Sequence, residues 1–171
     1  MRYFFLIAFG VLAIALGVVA WHHFGDNHDR KMAEKDAAVE TLVMKAVDAY
    51  EAGGMDALGP MSNPANSHWY DDGDLYVFAW DTIRRQMVVH GGQPERVGQL
   101  IDDPIDPLPF RARALSILYQ ASEEPDGVWV HYAHINPLSD DHNQRYRVKR
   151  AYIVTSGDVV FGVGRYMKGR H

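Results

Sequence analysis

The chain contains no cysteine, which removes disulfides, thiolate metal sites and a cysteine nucleophile together. That absence fits a bacterial periplasm and fits many cytosolic proteins equally well. The motifs of common enzymes are missing too: there is no G-x-S-x-G elbow, no H-E-x-x-H, no P-loop and no G-x-G-x-x-G. Gly162-Val163-Gly164 lacks the third glycine and has no following helix to receive a phosphate, so it reads as a strand passing close to a neighbour. No catalytic residue and no cofactor is expected. A positive charge excess is also lacking, since 17 Lys and Arg stand against 22 Asp and Glu for a formal net charge of −5. This excludes a general nucleic-acid binder, although a local basic cluster occupies residues 145–150.

Nine histidines are present, yet none falls into a ligand register. His22, His23 and His28 lie in a polar stretch beside an apolar run, and His131 and His134 are three apart on a predicted strand, hence on opposite faces. The acidic run Asp102-Asp103-Pro104-Ile105-Asp106-Pro107 lacks the spacing of an EF-hand loop. No metal site is predicted.

Residues 3–21 carry no charge at all, and the run is about as long as is needed to cross ~30 Å of hydrocarbon. The N-terminal boundary is therefore read as a transmembrane anchor or uncleaved signal segment over residues 1–24, with a juxtamembrane linker over residues 25–31. Cleavage near Ala20 is the alternative, because Arg2 is a short basic n-region and Val18-Val19-Ala20 are small; the run exceeds the usual signal-peptide core of ~7–15 residues. Arg30, Lys31 and Lys35 after the segment outnumber Arg2 before it, a bias opposite to export, but that bias governs short loops and not a large folded domain.

What is abundant is ordinary core material: 47% hydrophobic and 12% aromatic residues exclude disorder for the body of the chain, and residues 32–171 are sized for one domain. A helix is predicted over residues 32–52 from Val39, Leu42, Val43, Ala46, Val47 and Tyr50 at three- and four-residue spacings, ended by Gly53-Gly54. Residues 55–72 read as a loop with at most a short helix at residues 55–58. Strands follow at residues 75–80 and 86–90, joined as a hairpin. Residues 91–109, with three glycines and four prolines, form an ordered loop or lid. A second helix is expected at residues 109–122, then strands at residues 127–134, 145–155 and 159–166, with a tight turn at Ser156-Gly157-Asp158. Short connections between neighbouring strands argue for an antiparallel sheet, and the fold class is α+β.

The residues also resemble a known family. Gly73-Asp74-Leu75-Tyr76-Val77-Phe78-Ala79-Trp80-Asp81 followed by Val88-Val89-His90-Gly91 is similar to the opening hairpin of single Cache domains of the second type, PAS-like extracytoplasmic sensor domains. Gly127-Val128-Trp129-Val130-His131-Tyr132, Asn136-Pro137, Lys149-x-x-Tyr152 and Val160-Phe161-Gly162-Val163-Gly164-Arg165-Tyr166 resemble later blocks of the same family. The resemblance covers residues 32–166. It implies a long N-terminal helix packed on a five-stranded antiparallel sheet, preceded by one transmembrane or signal helix, and a periplasmic sensor for a small molecule, often an organic acid. No further membrane segment or output module follows Tyr166, so the expectation is a free-standing domain that signals through a separate protein or a homodimer and meets the membrane through its N-terminal helix.

The ligand-binding candidates are Tyr76, Phe78, Trp80, His90, Trp129, Tyr132, Asn136, Lys149 and Tyr152. Alternation puts Tyr76, Phe78 and Trp80 on one sheet face and Leu75, Val77 and Ala79 on the other; the aromatic set is either a pocket wall or plain core. Of Lys149 and Arg150 only one can look inward, and the resemblance selects Lys149, as the partner of a carboxylate; the competing reading is a solvated edge strand. Trp129 and His131 share one face and Val130 and Tyr132 the other, so the candidates on that strand cannot all line one cavity unless it is bulged or short. Asn136, extended before Pro137, is equally a turn residue. The alternative function is a structural or interaction scaffold of an envelope complex that binds no ligand.

Overall fold

The computed structural model describes residues 29–63, 65–66, 68–71, 75–101, 110–135 and 146–167. The apolar run of residues 3–21, the acidic loop of residues 102–107 and Asn136 lie outside the described residues. Among the described residues no helix is long and apolar enough to cross a membrane. The chain divides into two compact units, Met1–Ala38 and Val39–His171.

Residues 29–53 are helical (α1). Within the first unit this helix is solvated and carries an exposed Arg30–Glu34 pair at 3.6 Å. In the second unit its predicted stripe is core: Val39, Val43 and Ala46 have no exposed surface and Val47 has 4%. The helix ends where Gly54 takes a left-handed φ of 64°, a conformation that costs glycine nothing. Two 3₁₀ turns follow, Gly54–Ala57 and Gly59–Ser62, in the stretch that reads from sequence as a loop with at most a short helix at residues 55–58. Leu58 and Met61, three apart, match the three-residue turn and are both buried.

Among the described residues six strands form the sheet: β1 (Tyr70–Asp71), β2 (Leu75–Asp81), β3 (Gln86–His90), β4 (Val128–Ile135), β5 (Tyr146–Ser156) and β6 (Val159–Tyr166). All pairings are antiparallel. Five strands run in the order β3-β2-β6-β5-β4, and β1 adds two residues to the edge of β2 beyond β3. Asp81 turns the β2–β3 hairpin: its carboxylate accepts from the Ile83 and Arg84 amides at 2.8 and 2.7 Å and from the Arg84 guanidinium at 2.8 Å. These bonds, the Arg84 amide foremost, hold its pKa below the usual carboxylate value.

β2 is buried along its whole length because both faces of the sheet are covered. On one face Leu75, Val77 and Ala79 join Phe161, Val163 and the α1 stripe. Trp129 Nε1 donates to Glu40 at 3.0 Å and Ser156 Oγ to Glu51 at 2.9 Å, pinning this helix to β4 and β5. On the other face Tyr76, Phe78 and Trp80 join Ile153 and Val160, under Ile101 and a second helix, α2 (Phe110–Ala121), which contributes Ala114, Leu118 and Ala121.

The β2–β3 pairing slips by one residue: Ala79 faces Val89 and Trp80 faces Met87, so Val88 is extra. This β-bulge leaves Val88 and Val89 both against the α1 side and turns Met87 to the other face. Residues 91–101 then fold back along β3, with Met87 N–H donating to Gln99 O at 2.9 Å, Gly98 N–H to Met87 O at 2.8 Å and Ile101 N–H to Arg85 O at 2.8 Å. The first part of the expected lid is thus bonded to the strand before it.

Candidate functional site

The face of the sheet beneath α2 holds a cavity with about 50 Å³ of space for the centres of water-sized spheres. At roughly 10–15 Å³ for each water, that is room for about three to five water-sized groups. Its walls are Tyr76, Phe78 and Trp80 of β2, Met87 and His90 of β3, and Tyr132, His134 and Lys149 of β4 and β5. Arg96 and Ile101 of the returning loop and Ala114, Leu115 and Leu118 of α2 close it.

Lys149 is 1% exposed, and strand register explains its surroundings. It stands between Tyr132 on β4 and Tyr166 on β6. Beyond Tyr166, β6 places glycine at the next two positions of this face. A Cβ on Gly164 would lie 2.6 Å from Ala151 Cβ, and one on Gly162 would lie 2.2 Å from the Phe78 ring. With no side chain on β6 in between, the lysine of β5 reaches the aromatic rings of β2. Its Nζ lies 3.8 Å from the Tyr76 ring centroid, 4.8 Å from Phe78 and 5.4 Å from Tyr166. Ring quadrupoles attract the ammonium but do not neutralise it, and no described carboxylate forms an ion pair with it.

Two histidines flank this cation in opposite tautomers. His90 Nδ1 accepts the Gln93 amide hydrogen at 2.9 Å, so its own proton sits on Nε2. His134 Nδ1 lies 2.7 Å from the carbonyl oxygen of Ile135; a carbonyl only accepts, so Nδ1 carries the proton and Nε2 keeps its lone pair. Tyr166 braces this end, donating to the same carbonyl at 2.7 Å and lying 3.2 Å from His134 Nδ1. Burial, and then the Lys149 charge, push His90 well below the ordinary imidazole pKa and His134 down to about 3. Burial likewise raises the Tyr132 hydroxyl well above its usual value. Both imidazoles and the phenol are neutral at ordinary pH, while Trp80 Nε1, fully buried in the wall, donates to no described residue.

Of the residues singled out in the sequence, Tyr76, Phe78, Trp80, His90, Tyr132 and Lys149 come together around the cavity. Trp129 and Tyr152 do not. They lie on the α1 face, 5.3 Å apart between ring centroids, because each is three residues from a cavity residue on a regular strand, Tyr132 and Lys149 respectively, and odd spacing reverses the face. The Tyr152 hydroxyl donates to Asp126 O at 3.0 Å, and Arg150 stacks on Trp129 at 4.2 Å. Asn136 lies outside the described residues. Sequence reasoning missed His134, which shares the parity of Tyr132 and was weighed only as a metal ligand beside His131. It also missed Met87, delivered by the bulge, and Arg96 and Ile101, which no periodicity marks. Among the described residues no cluster of acidic and histidine side chains could hold a metal ion.

No family model matches the chain, and no curated protein matches it. Solved structures do. A periplasmic sensor domain of a chemotaxis protein superposes with a TM-score of 0.51 at 23% identity, covering 80% of this chain and 98% of that one. A Cache chemosensory domain, described for its structural basis of carboxylic acid recognition, superposes with a TM-score of 0.52 at 19% identity, covering 82% of this chain and 99% of that one. The α+β arrangement expected from the sequence, a long helix on a five-stranded antiparallel sheet of the PAS-like Cache kind, is the fold found.

Proposed function

We propose that this Cache-fold chain is an extracytoplasmic sensor whose cavity binds a small carboxylate, with Lys149 as the counter-ion and His90 Nε2–H as a second donor. The observation that carries the reading is the buried Lys149 ammonium, held by three rings and matched by no described carboxylate. A buried cation without an anion is costly, and a bound acid supplies both the charge and the acceptors. Trp80 Nε1 offers a further donor. The space suits an acid of two or three carbons. Residues 32–171 form the binding domain in this reading, anchored through residues 1–24 or released after cleavage near Ala20. The domain is non-catalytic and signals through a separate protein or a second copy of itself.

The test is calorimetric and thermal-shift titration of the full-length protein with acetate and propionate, beside Lys149→Met. Binding should raise the melting temperature by mass action. Methionine fills the space of the lysine stem without its charge, so the variant should fold with stability equal to or above that of the parent and lose acid binding. A folded variant of unchanged affinity, or a parent that binds neither acid at millimolar concentration, would favour the alternative of a scaffold without a ligand.

A further inference from the structure

The donors around the cavity outnumber its fixed acceptors, and one acceptor stands apart. His134 cannot present an N–H to a ligand, because its only proton is on Nδ1 and is spent on the Ile135 carbonyl. Its Nε2 lone pair accepts from no described residue. A carboxylate alone cannot satisfy that lone pair, since both are acceptors and repel. His134 lies on β4 two residues beyond Tyr132, which faces Lys149 directly across the strand pair. It is therefore the diagonal neighbour of the cation on the same face, where a group attached close to a bound carboxylate would lie.

We infer that the ligand is a 2-hydroxy acid of two or three carbons, its carboxylate on Lys149 and His90 and its hydroxyl donating to Nε2 of His134. This rests on the reading of the cavity as a carboxylate site and specifies the rest of the molecule. The two histidines divide the work through tautomers fixed by backbone partners: Gln93 N–H makes His90 a donor to the acid, and Ile135 C=O makes His134 an acceptor from its hydroxyl. The depressed pKa of His134 keeps the lone pair free of a proton under physiological conditions. The chain thus separates hydroxy acids from plain acids by an unmet acceptor and not by cavity size.

Calorimetry on the full-length protein with paired ligands tests this: acetate against glycolate, and propionate against each enantiomer of lactate. One added hydrogen bond predicts glycolate and one lactate enantiomer binding about 2- to 12-fold tighter than their plain counterparts. His134→Phe should erase this preference, so that glycolate and acetate bind the variant with equal affinity. Methoxyacetate, which has the oxygen and no hydrogen to donate, should lose the advantage on the parent protein and decides the matter should the variant fail to fold. Hydroxy acids binding no tighter than plain acids, or methoxyacetate matching glycolate, would overturn the inference while leaving the carboxylate site standing. Failure of every acid to bind would overturn the carboxylate site as well.

Discussion

Lowering the pH from about 7.5 to about 5.0 should destabilise the folded protein, and the size of the loss follows from one side chain. His134 has its pKa lowered to about 3, first by burial and then by the Lys149 charge, with Arg96 adding a smaller push in the same direction. In the unfolded chain it titrates near 6.5. The folded state therefore holds fewer protons than the unfolded state across this interval, and stability must fall as pH falls. The full contribution is present above about pH 6.5 and drains away toward the folded pKa. Each pH unit is worth about 1.36 kcal/mol, so roughly one and a half units give about 2 kcal/mol by pH 5, a sizeable part of the ~5–15 kcal/mol that holds a typical domain together. His90 is shifted the same way by burial, Lys149 and Arg96, and adds to the loss. The lowered pKa of Asp81 contributes stability that is lost only as pH falls through the ordinary carboxylate range near 3.9 and below, outside this window. Urea unfolding of the full-length protein at a series of pH values reads the slope directly. In His134→Phe the slope should fall by one proton. A stability that is flat or rises toward pH 5, or a slope unchanged in the variant, would refute the assignment of a half-buried neutral imidazole.

Gly162→Ala would place a methyl group 2.2 Å from the Phe78 ring; overpacking of this kind costs about 1–3 kcal/mol. Because the displaced ring is part of the cage around Lys149, acid binding should weaken together with stability, measured by urea unfolding and calorimetry on one preparation. Trp129→Phe removes the hydrogen bond to Glu40 on the far side of the sheet. It should lower stability by about 1 kcal/mol and leave acid affinity unchanged.

The sequence was most informative where side-chain period alone decides placement. Val39, Val43, Ala46 and Val47 repeat at the helical interval and are core; Tyr76, Phe78 and Trp80 alternate with Leu75, Val77 and Ala79 and divide between the two faces of the sheet. Period also shows that Lys149 and Arg150 must part company, but it cannot say which faces the cavity; that choice came from the resemblance. Three features were beyond its reach. The bulge at Val88 adds a residue to β3 and puts Met87 beside His90, a matter of pairing with β2 that no strand carries by itself. Arg96 and Ile101 arrive through a loop held by backbone bonds to β3, with no pattern to mark them. The donor and acceptor roles of His90 and His134 depend on Gln93 and Ile135 backbone atoms, whose position is a product of the fold.

The extra residue in β3 also bears on which changes of chain length this sheet can absorb. Without Val88, Met87 and Val89 would be neighbours, and Trp80, Ala79 and Phe78 would meet Met87, Val89 and His90 in plain alternation, with His90 still turned toward the cavity. β3 thus reaches the same inward-facing residues at either length, and a deletion there would be silent at the site. A residue gained or lost inside β2 would instead exchange the faces of every side chain beyond it, sending aromatic rings against α1 and valines into the cavity. Relatives of this chain should accordingly vary in length at the first of these strands and hold it constant in the second.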